Sequence, residues 1–129
     1  LGFFHIPFME YKDAIEQYRT SSDPSKMGQG EFLDEEGGFA YKDDNAYEKM
    51  KASNILAYFV GHNHQDYGDI LYKDKDGDLS IFSNGVKSTN QLYHYEDMLG
   101  YKLITLKEGM RKEEFLERPW LDLKFKEAR

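Results

Sequence analysis

The sequence predicts an α/β fold with a mixed sheet, helices and a late β-hairpin, and three observations carry that reading. Residues 55–60 form an apolar run of the length of a strand buried on both faces, and the run stops at Gly61-His62-Asn63-His64. Two stretches, 9–19 and 43–53, place apolar residues at helical spacing. Residues 69–72 and 79–82 flank Lys73-Asp74-Lys75-Asp76-Gly77-Asp78, where Asp76-Gly77 supplies a hairpin turn.

The elements follow in order. Residues 2–6 are apolar and aromatic, and Pro7 biases its predecessor toward extended backbone, so a buried strand should run into a loop with His5 at its end. Met9, Ala14, Ile15 and Tyr18 support the helix over 9–19, which Thr20-Ser21-Ser22-Asp23-Pro24-Ser25 ends. Residues 20–42 hold four Gly, one Pro and many polar side chains without periodicity. They read as a surface loop, with a substrate lid as the functional alternative. Asp43-Asp44-Asn45 offers a cap for a helix carrying Ala46, Tyr47, Met50 and Ala52, and its acidic start and Lys49 and Lys51 suit the helix dipole. A last strand is expected over 100–107, then a charged tail with a helix around 111–118 and Trp120 as its anchor.

Composition bounds the function. With 129 residues the chain is one domain or part of one. Its 16 % aromatic content argues against disorder. A net charge of -7 argues against a nucleic-acid backbone or an anionic membrane as partner, and no apolar run reaches the length of a membrane span. Without cysteine there is no disulfide, thiolate ligand or cysteine nucleophile, so any metal falls to His, Asp, Glu or Asn. Compartment stays open. Leu1 is not an initiator Met, and the chain opens on an apolar run with no signal-peptide charge pattern. The expectation is a fragment.

The histidines are His5, His62, His64 and His94. On a loop, His62 and His64 need not point to opposite faces, so both imidazoles can be aimed at one cluster of metal ions. Both that pair and His5 fall where a buried strand meets a loop, and ligands of α/β sheets bind beyond the carboxyl ends of strands. His94, flanked by Tyr93 and Tyr95, reads as a packed or surface residue. Asp74, Asp76 and Asp78 fail the calcium-loop pattern, because Gly77 falls at the fourth position and Gly85 stands where a Glu is needed. The tyrosines, among them Tyr41, Tyr47, Tyr58, Tyr67 and Tyr72, read as packing.

Phe3-Phe4-His5-Ile6-Pro7, then a helix and long loop, then Ile55-Leu56-Ala57-Tyr58-Phe59-Val60-Gly61-His62-Asn63-His64, resembles the carboxyl-terminal half of the calcineurin-like metallophosphoesterases. The branch it looks like is the one related to purple acid phosphatases. Gly85-Val86-Lys87-Ser88-Thr89 and a late strand are also similar to that family's ending, so the likeness spans residues 2–107. It implies a partial αββα sandwich, with residues 1–129 as the carboxyl-terminal part of one domain. It also implies a metal set in which His5 and His62 bind one ion of a two-metal site and His64 the other. Zinc, iron or manganese, as divalent or trivalent ions, would suit imidazoles. Two such ions would clamp a phosphoester substrate and activate a water for in-line attack. Asp66 and Asp69 are candidate acceptors for the second imidazole nitrogens, though solvated loop charges are the simpler reading. Asn63 carries no implied role.

The departures bear equally on function. The family's Asp-x-His, Gly-Asp-x-x-Asp and Gly-Asn-His-Asp motifs are absent. Hydrolysis is therefore expected of the parent protein, with this chain alone inactive and no catalytic residue assigned in it. An isolated half-sheet would expose an apolar face and open edges, so self-association or pairing with the missing amino-terminal half is expected. Two alternatives stand beside this reading. One is a cupin-like barrel in which His62, His64, a carboxylate and His94 hold a single metal; the other is a non-catalytic binding module.

Overall fold

The computed structural model describes residues 1–33, 38–40, 42 and 44–125. In them the elements run β1 (Gly2–Phe3), α1 (Glu10–Thr20), α2 (Pro24–Met27), β2 (Gly28–Phe32), α3 (Ala46–Ala52), β3 (Ala57–Val60), β4 (Asp66–Lys73) and β5 (Leu79–Asn84). A 3-10 turn (Glu96–Met98), β6 (Gly100–Ile104), α4 (Lys112–Glu117) and β7 (Leu121–Phe125) complete the order. Five strands form an open sheet in the order β1-β3-β5-β4-β2. The pairs β1–β3 and β3–β5 are parallel, whereas β5–β4 and β4–β2 are antiparallel. The mixed sheet expected from the sequence is present. The described strands do not close into the barrel that the single-metal alternative requires.

Alternation along the strands explains the packing. Tyr58, Val60, Ile70, Tyr72 and Phe82 point to one face and meet Phe8, the α1 residues Tyr11, Ala14 and Ile15, and Tyr47 of α3. The Tyr11 ring stacks on Phe82 at 4.6 Å while its hydroxyl donates to the Tyr58 carbonyl at 2.7 Å. Ala57, Phe59 and Ile81 point to the other face, where Trp120, Phe115 and Ile104 cover them. Trp120 is the anchor anticipated for the tail, stacked on Phe115 at 4.7 Å and donating from Nε1 to its carbonyl. All four residues of β3 are buried, as its unbroken apolar run requires.

Several expectations need correction. Residues 20–42 are not simply a loop, because α2 and β2 lie inside them and β2 forms the sheet edge beside β4. Glycine hid the strand. Gly30 approaches β4 so closely that a Cβ would run into the Tyr67 carbonyl, so the residue that weakens a strand signal is what permits this pairing. The first strand covers only Gly2–Phe3 rather than 2–6, and it is not buried along its length, because it lies at the sheet edge with Phe3 exposed. The late strand stops at Ile104 rather than 107, and it pairs with the unanticipated β7 to make a second sheet. At the start of α3, Asp44 Oδ1 accepts from the Ala46 amide at 3.0 Å, while Asn45 makes no side-chain cap bond. Asp43 and Tyr41 lie outside the described residues.

Candidate metal centre

Parallel pairing of β1 with β3 aims both strands at the same end of the sheet. The ladder continues past the strands, with the Phe4 amide donating to the Phe59 carbonyl and the Gly61 amide to the His5 carbonyl, each at 3.0 Å. This sets His5 beside His62. His62 Nδ1 lies 3.2 Å from His5 Nε2, and the two rings stand at 82° with centroids 5.1 Å apart. Both rings are exposed. His62 has φ 68°, the left-handed region that non-glycine residues enter at a cost.

His64 is turned elsewhere. Its Nδ1 lies 3.2 Å from the Tyr93 carbonyl, and its ring stacks on Tyr93 at 4.4 Å. A carbonyl only accepts, so that bond puts the proton on Nδ1 and leaves the lone pair on Nε2. Residues 61–64 form one wall of a cleft of about 210 Å³ and residues 85–89 the other. The three imidazoles do not converge on one point. Among the described residues, the ligand-type group of three whose donor atoms lie within 4.8 Å of one another is Asp74, Asp76 and Asp78.

That acidic group already holds a cation. Lys51 Nζ lies 2.7 Å from Asp74, 3.2 Å from Asp76 and 2.8 Å from Asp78. Asp74 Oδ1 also accepts from the Asp76 and Asp78 amides, which shapes the hairpin turn anticipated there. The hydrogen bond that Lys51 donates to Asp74, and next that to Asp78, raises the pKa of its ammonium.

Asp66 and Asp69 are not solvated loop charges. Each is 2 % exposed, because β4 begins at Asp66 and carries both into the sheet. Asp66 Oδ2 accepts from Asn63 Nδ2 at 3.1 Å, which ties down the loop between the two histidines. Asp69 Oδ1 accepts from Ser83 Oγ at 2.6 Å and from Lys102 Nζ at 2.7 Å. The bonds described for them go to Asn63, Ser83 and Lys102. His94, expected as a packed or surface residue, lies outside helix and strand and is bonded to Leu92 and Glu96.

Sequence reasoning passed over two residues that shape the loop. Asn63 is 4 % exposed and bonds through both its amide nitrogens, the main-chain one to the Gly61 carbonyl at 2.8 Å. An Asp three residues after an Asn was the available signal for this brace. Tyr93 acts through its carbonyl and ring stacking, and its side-chain type alone does not announce the former. Comparison with family models, curated proteins and solved structures gives no match to this chain.

Proposed function

We propose that this chain is the carboxyl-terminal part of a calcineurin-like metallophosphoesterase, of the branch related to purple acid phosphatases. In the complete αββα domain His5 and His62 would hold one ion of a two-metal centre and His64 the other, and the parent protein would hydrolyse phosphoesters. The 3.2 Å separation of His5 Nε2 and His62 Nδ1 carries the proposal. Two imidazole nitrogens about 2.05 Å from one tetrahedral ion lie about 3.3 Å apart, so the pair has the spacing of a shared ligand set. The Nε2 lone pair of His64 adds a third donor of the same class. Zinc, iron and manganese all accept imidazole. When bound, such ions supply charge for phosphate oxygens and an activated water.

This chain's own part is to hold and orient ligands. The family's Gly-Asp-x-x-Asp and Gly-Asn-His-Asp motifs are not in the sequence, so turnover is assigned to the parent protein. The test is elemental analysis of this chain and of its parent after purification without chelator, with His62→Ala/His64→Ala as the control. About two ions per parent chain, lost in the double variant together with hydrolysis of an aryl phosphate, is the expected result. Absence of metal from both proteins overturns it.

A further inference from the structure

The loop after β5 is closed by a histidine whose two ring nitrogens both face acceptors. His94 Nδ1 lies 2.8 Å from the Leu92 carbonyl, and Nε2 lies 3.0 Å from Glu96 Oε1. A carbonyl and a carboxylate only accept, so both bonds coexist only when both nitrogens carry hydrogen, which is the imidazolium. The side chain is 14 % exposed although Tyr93 and Tyr95 on either side are open to solvent. The charged ring is thus tucked into the turn that it closes. Leu92, whose carbonyl takes one of the bonds, has φ 61°, a conformation a leucine keeps only when its surroundings fix it. At its base the loop is closed by the Gly100 amide donating to the Lys87 carbonyl at 2.9 Å.

Tyr93 sits inside this bridge and faces the candidate centre. Its carbonyl takes the bond from His64 Nδ1, and its ring lies within 22° of parallel to the His64 ring. Stacking fixes the plane of that imidazole, and the carbonyl fixes which nitrogen carries the proton. Metal-binding histidines gain from such a partner on the non-ligating nitrogen.

We propose that His94 is a positioning residue for His64: bridging Leu92 and Glu96 as an imidazolium, it holds the Tyr93 carbonyl where it selects the Nδ1–H tautomer and leaves Nε2 free to ligate. The ligand role of His64 rests on the proposed function, whereas the tautomer requires no metal. The charged groups acting on His94 are Glu96, whose hydrogen bond raises its pKa together with the Leu92 carbonyl, and Lys87, whose charge opposes them. As pH rises through that raised pKa one bond of the bridge is lost, the turn loosens, and the His64 tautomers mix.

The test is nitrogen NMR of the ring atoms in the full, metal-free chain labelled at histidine, followed across the titration of His94. While His94 is charged, neutral His64 should favour the Nδ1–H form about fivefold or more, the worth of one hydrogen bond. The preference should fall as His94 deprotonates. His94→Arg keeps a permanent charge and several donors, so it should retain the preference at high pH, and His94→Ala should lose it throughout. Glu96→Gln, at an exposed position, should lower the His94 titration point and shift the tautomer change by the same interval. A His64 protonated on Nε2, or one indifferent to both the His94 titration and Glu96→Gln, overturns the proposal. Zinc titration of the same samples separates the two readings. Failure to bind zinc with the tautomer held removes the metal assignment alone, and zinc binding with the tautomer unheld removes the positioning role alone.

Discussion

His5 and His62 are 57 residues apart in sequence, yet their facing ring nitrogens are separated by 3.2 Å. Two exposed rings gain about 1 kcal/mol from one hydrogen bond. Holding His62 at φ 68° costs roughly as much. The contact therefore contributes little to folding by itself.

Imidazoles ligate in their neutral form, so zinc uptake should fall as the solution is acidified. His5→Ala and His62→Ala should each weaken zinc binding by about tenfold or more, read by isothermal titration calorimetry. Unchanged affinity in both variants would remove the pair as ligands.

Lys102 ties the two sheets together. Its Nζ lies within 2.8 Å of the Gly68 and Asn84 carbonyls, Asp69 Oδ1 and Ser83 Oγ, four acceptors that share its three hydrogens, and the side chain is 7 % exposed. Burial lowers its pKa, and the charge of Asp69 acts the other way. Lys102→Met should cost about 3 kcal/mol in urea unfolding, because it strands a buried carboxylate. Among the described residues Asp69 Oδ2 has no hydrogen-bond partner, so Asp69→Asn in the same background should recover part of the loss. A cost below about 1 kcal/mol would show that the ammonium does not bridge the sheets.

Asp74 gives the fold an acid limit. Burial pushes its pKa up, but bonds from Lys51, Tyr47 and the Asp78 and Asp76 amides outweigh that and bring it down to about 2. A carboxyl lowered on folding stabilises fully above its unfolded value of 3.8, and the contribution disappears as pH falls toward 2. Thermal melts across that interval should show a declining midpoint. Asp74→Asn should begin lower at neutral pH and lose most of the slope.

Phe3 is 65 % exposed on an edge strand of two residues, and Leu1 and Ile6 beside it are also exposed. Sedimentation velocity should show association that grows with concentration, and Phe3→Lys should reduce it. A monomer at every concentration would mean this edge is tolerated bare.

What the sequence made legible is where local pattern and tertiary environment agree. The run at 55–60 and the helix carrying Tyr11, Ala14 and Ile15 are amphipathic or buried in the way their periods imply, and the structure keeps them within a residue or two. The strand Gly28–Phe32 was illegible because its glycines suit a close crossing rather than strand propensity. Strand Leu121–Phe125 was hidden in a charged tail whose partner lies about 20 residues earlier in the chain. At the site, His5 and His62 could be placed from strand ends alone. Burial of Asp66 and Asp69 could not, since a carboxylate's environment is set by partners such as Lys102 that lie far away in sequence.

The strand order also ranks pairings of the sheet by the length of chain each must close. The β4–β5 hairpin needs only a short turn to close, and such hairpins form within microseconds. Joining β3 to β5 brings Ala57 to Ile81, and adding β1 brings Gly2 to Tyr58, a larger loop secured by the shortest strand of the sheet. Of these three closures, the edge that carries His5 spans the most chain and pairs the fewest residues. A cation taken by both rings would bind only the completed sheet, so its affinity would be paid out as a slower opening of the amino terminus, and the candidate centre would double as a clasp on the chain's first residues.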